Sequence, residues 1–333
     1  MGGGCCFSFF YRADFIILKP SEYLSIKSMT TTQSRKTKEL VINWHMTEVC
    51  NYSCKYCFAK WGRPKELHRS EQAIANLLDK LADYFIKGTP VLKEKLGYES
   101  VRLNFAGGEP MMLGNTFVTA LVLAKQKGFK TSIITNGHYL IHGKSPLPKD
   151  TLDMIGISFD SQYLSTRMKI GRNDRKGNSF GVNDLTHALA NLTQSQTGIK
   201  TKINTVINSL NWEEDFSNLI SSLKPYKWKV LQVMPYGDNE ILISKEQFDN
   251  FVQRHSGLGL PIYSESNSTM TESYLMISPE GCFYQNTANK SGYKYSECIN
   301  SCGVEKALSQ IEFNPITFAS RYKETNIDIV EIS

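Results

Sequence analysis

The chain has 333 residues, a net charge of +6, and 41% hydrophobic and 21% charged residues, the profile of an ordinary globular protein with ample core. The positive surplus suits an anionic small molecule but is too diffuse for a nucleic-acid surface, so no nucleic-acid partner is expected. Eight cysteines fall into three groups in a chain without a clean secretory signal, which argues for a reducing cytoplasm and against a disulfide framework.

Residues 1–38 stand apart. Phe7 to Leu18 is apolar but interrupted by Arg12 and Asp14, so it is neither a membrane span nor a signal core. Met-Gly-Gly-Gly-Cys-Cys invites a lipidation reading, but position 6 is Cys6 where myristoylation wants Ser or Thr. Palmitoylation of Cys5 or Cys6 stays open. The alternative is a start at Met29, with Thr30 to Lys38 a polar lead into the first strand. This segment is expected to be disordered or outside the true start.

From residue 39 short β-rich runs alternate with helical patterns. The expected strands are Glu39–Met46, Ser100–Phe105, Lys130–Thr135, Met154–Phe159, Ile199–Ile207 and Tyr226–Met234. Between them lie helices over Ser70–Lys87, Asn115–Gln126, Asn183–Gln194 and Trp212–Ser222. The first carries Ile74, Leu77, Leu78, Leu81 and Phe85 on one face. Consecutive β/α units of this kind predict an α/β fold, a partial TIM-like (β/α)6 barrel over residues 39–240, with chemistry at the C-terminal ends of the strands. After residue 240 the alternation fades into Lys245–Arg254, Ser273–Ile277 and Val304–Ile311, read as a C-terminal extension, 241–333, that closes the substrate site.

The most informative stretch follows the first strand. Cys50, Cys54 and Cys57 have the spacing C-x3-C-x2-C, and three thiolates can hold three irons of a [4Fe–4S] cube while the fourth stays open to a ligand. A zinc knuckle would want a local fourth Cys or His, which this loop lacks. Directly after the second strand comes Ala106-Gly107-Gly108-Glu109-Pro110, where glycines let backbone approach a ligand and a carboxylate can hold an ammonium.

Strand alternation adds a third signal. It places Asn43 with His45, Arg102 with Asn104, Ser158 with Asp160, Lys200 with Lys202 and Asn204, and Lys227 with Lys229. Outer faces of a helix-wrapped barrel are apolar, so this shared phase points inward, to an anion site of triphosphate size.

The cysteine spacing resembles the radical S-adenosylmethionine (SAM) superfamily. Asn43-Trp-His-Met-Thr, Phe58, Asn104-Phe-Ala-Gly-Gly-Glu-Pro, Ile157-Ser-Phe-Asp-Ser, Ile170-Gly-Arg, Lys202-Ile-Asn-Thr-Val-Ile-Asn, Trp228-Lys-Val-Leu-Gln, and Glu265-Ser-Asn followed by Glu272-Ser-Tyr-Leu resemble the viperin family within it, in its prokaryotic-type form, from about residue 40 to 312. The resemblance implies a radical SAM lyase in antiviral defence. Such an enzyme cleaves SAM to methionine and a 5′-deoxyadenosyl radical, removes the 4′ hydrogen of a nucleoside triphosphate (CTP, UTP or GTP), and expels the 3′ hydroxyl as water. With one electron and one proton this gives a chain-terminating 3′-deoxy-3′,4′-didehydro nucleotide.

Carried over residue by residue, the resemblance makes Cys50, Cys54 and Cys57 the cluster ligands. Ala106, Gly107, Gly108, Glu109, Asn136, Ser158 and Arg172 would contact SAM, and Arg102, Lys202, Asn204, Lys227 and Lys229 the substrate. Tyr274 would donate the final hydrogen. Ala106 stands where the animal enzyme has Ser, Arg102 where it has Lys, and Lys227 where it has Arg. A flavodoxin or ferredoxin electron donor, a monomeric state, a cytoplasmic location and no membrane contact are expected. Two other readings stay open: a peptide or cofactor maturase whose Cys282, Cys298 and Cys302 carry an auxiliary cluster, with free thiols as the plainer alternative, and an Fe–S, nucleotide-binding sensor.

Overall fold

The structure is a computed structural model. It describes Met1 and residues 36–322, apart from 60–61, 63–64, 143–146, 196–197, 236–238, 258, 260–261 and 287–292. Cys5, Cys6 and the alternative start at Met29 lie outside the described residues.

Strands β1 (Glu39–His45), β2 (Ser100–Ala106), β3 (Lys130–Thr135), β4 (Met154–Ser158), β5 (Lys200–Ile207) and β6 (Lys227–Gln232) pair in chain order, each parallel to the next. Parallel neighbours need crossover connections, and helices Glu71–Ala82, Asn115–Gln126, His138–His142, Val182–Ser195 and Ser217–Leu223 lie in the five of them. Each strand lies within two residues of its expectation. Glu71–Ala82 buries Ile74, Leu77, Leu78 and Leu81, and the Ser70 side chain caps it by accepting from Ala73 N at 3.2 Å. It runs on as a wider turn, Asp83–Lys87, that buries Phe85.

The helix expected from Trp212 begins only at Ser217. Asn211 diverts the backbone before it: its Oδ1 accepts from Asn208 N at 2.8 Å and its Nδ2 donates to Asp160 O at 2.6 Å.

The extension widens the sheet at both edges. β7 (Ile262–Glu265) pairs parallel with β6, while β8 (Leu275–Ile277) pairs parallel with β1 and carries β9 (Cys282–Asn286) and β10 (Tyr293–Cys298) as antiparallel neighbours. The order β10-β9-β8-β1-β2-β3-β4-β5-β6-β7 leaves an open barrel. β9 and β10 also correct the reading of the late cysteines. Register sets Cys282 opposite Cys298 with their Cα atoms 4.0 Å apart and their sulfurs paired, so they are not the free thiols expected there, and Cys302 stays outside the pair. Among the described residues no helix is long and apolar enough to cross a membrane.

One local feature positions the cysteine loop. The pairing of β1 with β2 continues beyond the strands: Met46 N donates to Ala106 O at 2.9 Å, Gly108 N to Thr47 O at 2.6 Å and Glu109 N to Val49 O at 2.8 Å. This strap requires glycine. A Cβ on Gly108 would sit 2.1 Å from Val49 O, and one on Gly107, at φ +137°, 2.6 Å from Thr47 O. Because the obstacles are backbone atoms, Gly108→Ala is expected to push the cysteine loop off β2. Iron content after anaerobic reconstitution should fall well below the about four per chain of one cube, with far-UV circular dichroism unchanged. A wild-type iron count would show that the strap is dispensable.

Candidate active site

The three clustered cysteines lie on the loop leaving the C-terminal end of β1, where parallel α/β folds place their chemistry. Cys54 is buried, and Cys50 and Cys57 are half-buried. Donors face two of the sulfurs. Tyr52 N–H reaches Cys50 Sγ at 3.4 Å and Asn136 Nδ2 reaches it at 3.8 Å, while Arg172 Nη1 reaches Cys54 Sγ at 3.7 Å. Burial pushes the Cys50 thiol up to about 12, with the charges of Glu109, Cys54 and Cys57 adding to the rise. A buried thiolate here needs a metal to exist, and the donors suit a metal-bound sulfur. No group of three His, Cys, Asp or Glu among the described residues converges on a single ion. Three thiols with facing N–H donors are a ligand set that fits a [4Fe–4S] cube with one open iron.

Behind this loop stands a second layer. Glu109, fully buried, accepts at Oε1 from Thr135 Oγ1 (2.9 Å) and Met111 N (3.1 Å) and at Oε2 from Asn136 N (2.7 Å). Burial outweighs these donors and holds its carboxyl up at about 7. The side chain therefore braces the end of β3 against the strap. Asn136 ties β3 to the cysteine loop, donating to Asn51 Oδ1 at 2.7 Å. Ser158 offers its carbonyl to Arg172 Nη2, and Arg172 Nε pairs with Asp160 Oδ2 at 3.1 Å. The expected SAM set, Ala106 to Glu109 with Asn136, Ser158 and Arg172, thus lies in one region around the cysteines.

The cationic set meets inside the sheet. Register pairs Lys202 with Lys227, and Asn204 with Lys229 and Ser158. Lys202 lies across Gly156, where a Cβ would come within 2.9 Å of Lys202 Cε. Its ammonium is held well below the ordinary lysine range by burial, then by Lys229, Arg102 and Lys227. Burial with Lys229 and Arg102 lowers Lys227 to about 8, and burial lowers Lys229 to about 8 against the pull of Glu265. Arg102 Nε pairs with Glu39 Oε2 at 2.7 Å. Asn204 Oδ1 is buried with no donor in reach among the described residues. Lys200, in the same strand phase, lies at the exposed start of β5 with its ammonium over the Tyr226 ring, outside the set.

Arg321 and Tyr322 join this cluster without having been picked out from the sequence, and Glu265 stood only in the Glu265-Ser-Asn stretch of the resemblance. Glu265 at the end of β7 accepts from Lys229 Nζ at 2.8 Å and from Arg321 Nε at 3.0 Å, and from the Tyr274 hydroxyl. Burial alone would raise its carboxyl, but Arg321 and Lys229 outweigh that and hold it near 2. Arg321, from the turn after helix Pro315–Ser320, stacks 3.5 Å from the Tyr274 ring centre and leaves Nη2 unpartnered. Tyr322 lies 6.0 Å from the Lys227 ammonium. A lone Arg-Tyr near the chain end carries no sequence signal; only the fold brings it here. Tyr274 reaches the cation set, accepting from Lys229 Nζ at 2.9 Å. Arg102, Lys202, Lys227, Lys229 and Arg321 thus share only Glu39 and Glu265 as interior counter-charges among the described residues, a surplus of three.

An open parallel α/β barrel with a three-cysteine loop over a Gly-Gly-Glu strap defines a radical SAM enzyme. Residues 44–176 match the Radical SAM superfamily model. The solved structure of native anSMEcpe with bound AdoMet superposes with a TM-score of 0.57 over 84% of each chain at 11% identity, a likeness of fold. Among curated proteins, the S-adenosylmethionine-dependent nucleotide dehydratase of Pseudoalteromonas ulvae is 44% identical over 88% of this chain and 96% of its own length. That of Psychrobacter lutiphocae is 40% identical over 87% and 97%. The chain belongs to this family, the viperin family of radical SAM enzymes, which uses a [4Fe–4S] cluster and SAM.

Lysines held near 8 make anion binding pH-dependent. Only the charged form attracts phosphate, so affinity for inorganic tripolyphosphate should weaken as pH rises through about 8, and binding above pH 7 should take up protons. The empty protein should move oppositely. Depressed lysine pKa values penalise the fold below about 8, and that penalty is relieved as pH climbs toward the ordinary lysine range. Calorimetry in buffers of different ionisation enthalpy reads both; an affinity flat from about pH 7 to 9.5 would take Lys227 and Lys229 out of the site.

Proposed function

We propose that the chain is a radical SAM nucleotide dehydratase, converting a nucleoside triphosphate (CTP, UTP or GTP) to its 3′-deoxy-3′,4′-didehydro analogue, a chain terminator in antiviral defence. The observation that carries the triphosphate reading is the interior surplus of positive charge. Buried, mutually repelling ammonium groups are costly, and an anion of three to four negative charges offsets that cost. The names of the relatives support the reaction class.

When bound, the cluster and SAM supply a one-electron cleavage that yields a carbon radical able to take a hydrogen atom. Cys50, Cys54 and Cys57 hold the cluster, and the strap presents the Gly107 and Gly108 carbonyls to the methionine ammonium. Arg102, Lys202, Lys227 and Lys229 anchor the phosphates within the barrel, which directs the ribose toward the strand ends where the cysteines lie. Asn204, with its unpartnered Oδ1 between the two groups, is placed to accept from a sugar hydroxyl. Tyr274, its hydroxyl held by Glu265 and Lys229, is the hydrogen donor that closes the reaction. The enzyme acts as a cytoplasmic monomer fed by a flavodoxin or ferredoxin. Residues 39–240 form the catalytic barrel and 241–333 the extension that closes the substrate site. The names of the relatives favour the dehydratase over the maturase alternative.

Two measurements test the reading. In anaerobic incubation with SAM, dithionite and all four ribonucleoside triphosphates together, one triphosphate should lose the mass of water while 5′-deoxyadenosine accumulates. No 5′-deoxyadenosine with any of them would leave a cluster- and nucleotide-binding sensor. Lys202→Met removes a half-buried cation that has no ion pair among the described residues. KM for the nucleotide should rise roughly tenfold to a hundredfold, the worth of one charge-assisted hydrogen bond, while Tm of the empty protein rises. An unchanged KM would remove Lys202 from the site.

A further inference from the structure

A buried network around Asp160 and Arg172 braces the cysteine loop. Asp160, 1% exposed, accepts at Oδ2 from the Tyr56 hydroxyl and from Arg172 Nε (3.1 Å), and at Oδ1 from Val206 N (2.8 Å). Tyr56 sits between Cys54 and Cys57, so Asp160 clamps the cysteine loop to the end of β5. Arg172 is fixed on every side. Its Nη2 donates to Ser158 O, its Nη1 faces Cys54 Sγ at 3.7 Å, and the Tyr52 ring lies 5.4 Å beneath. The backbone around it is zipped to the same loop, with Lys55 N donating to Ile170 O at 2.9 Å and Ser53 N to Gly171 O at 3.3 Å. Gly171 allows that approach, because a Cβ there would lie 2.3 Å from Ser53 O.

We propose that Asp160 is a positioning residue that holds the Arg172 guanidinium against Cys54, and that this Asp160–Arg172 pair sets the reduction potential of the cluster. A hydrogen bond to a cluster sulfur and a buried positive charge both favour the reduced, more negative cube, so Arg172 raises the potential. Asp160 opposes it with a buried negative charge while keeping the guanidinium in place. A guanidinium has five N–H donors and this network engages three of them, so an edge is left for the SAM carboxylate. Low dielectric makes both charges felt at the cube.

The inference rests on Cys50, Cys54 and Cys57 as the cluster ligands, and iron counting separates the two claims. Wild-type protein holding no cube after reconstitution would overturn the ligand assignment itself. With about four irons bound, redox titration followed by electron paramagnetic resonance, without SAM, reads the inference. Arg172→Gln should move the midpoint to more negative values, about 59 mV for each tenfold loss in the one-electron equilibrium constant. Asp160→Asn keeps the Ser158 and Cys54 contacts but removes the counter-charge, and should move it to more positive values. Arg172→Lys keeps the charge without the fork and should fall between wild type and the glutamine variant, which covers the case in which Arg172→Gln does not hold a cluster. Unmoved midpoints in iron-replete variants, or shifts of the same sign for Arg172→Gln and Asp160→Asn, would overturn the proposal.

Discussion

Three backbone hydrogen bonds carry the parallel pairing of β1 and β2 past the ends of both strands, and the geometry above the barrel depends on them. They join Met46, Thr47 and Val49 to Ala106, Gly108 and Glu109, so the chain reaches Cys50 already bound to the neighbouring strand. The same loop is held from the opposite side through Ser53 and Lys55, which bond to Gly171 and Ile170. A loop clamped along two edges loses little further entropy when it takes up a cluster. Both clamps need glycine at the point of closest approach, because the atoms a Cβ would meet are carbonyl oxygens that cannot turn aside.

Below the strap the sheet obeys a simpler constraint. Side chains alternate with period two and parallel register aligns them, so a lysine at the same phase of β5 and β6 faces its neighbour. Lys202, Lys227 and Lys229 therefore share one interior with Arg102 from β2, where burial and then the neighbouring cations lower the pKa of Lys202 and Lys227. Glu39 and Glu265 relieve only part of this. The empty barrel is a strained charge distribution, and its polyanionic ligand completes the structure as much as it serves as substrate. Glu265 does further duty, fixing Tyr274, Lys229 and Arg321 in one network that ties β7 and the turn at Arg321 to β6.

Much of this was legible in the chain. Cys50, Cys54 and Cys57 are close in sequence, so their spacing is their geometry, and the Gly107-Gly108-Glu109 turn follows a strand whose apolar run is plain. The cations could be read because alternation and register are both regular in parallel sheets. What escaped were contacts made by distant segments with no periodic signal. β7 and β10 are short and polar, and the Cys282–Cys298 pair depends on a hairpin register that spacing does not encode. Glu265 and Arg321 are 56 residues apart and meet only because the extension returns to the barrel. Lys200 shared the strand phase but stands at the exposed strand end, where phase alone does not imply burial. Glu109, read as an ammonium ligand, also accepts from Thr135, Met111 and Asn136, contacts that its place in the Gly-Gly-Glu turn does not encode.

The central claim is that the interior cations seat a triphosphate with its ribose beneath the cysteine loop, close enough for the SAM-derived carbon to take the 4′ hydrogen. Reconstituted enzyme turned over anaerobically with the accepted nucleotide deuterated at C4′ tests this most directly. The account predicts that 5′-deoxyadenosine gains one deuterium and that the dehydrated nucleotide lacks it. Unlabelled 5′-deoxyadenosine, formed at the same rate with or without the triphosphate, would contradict it.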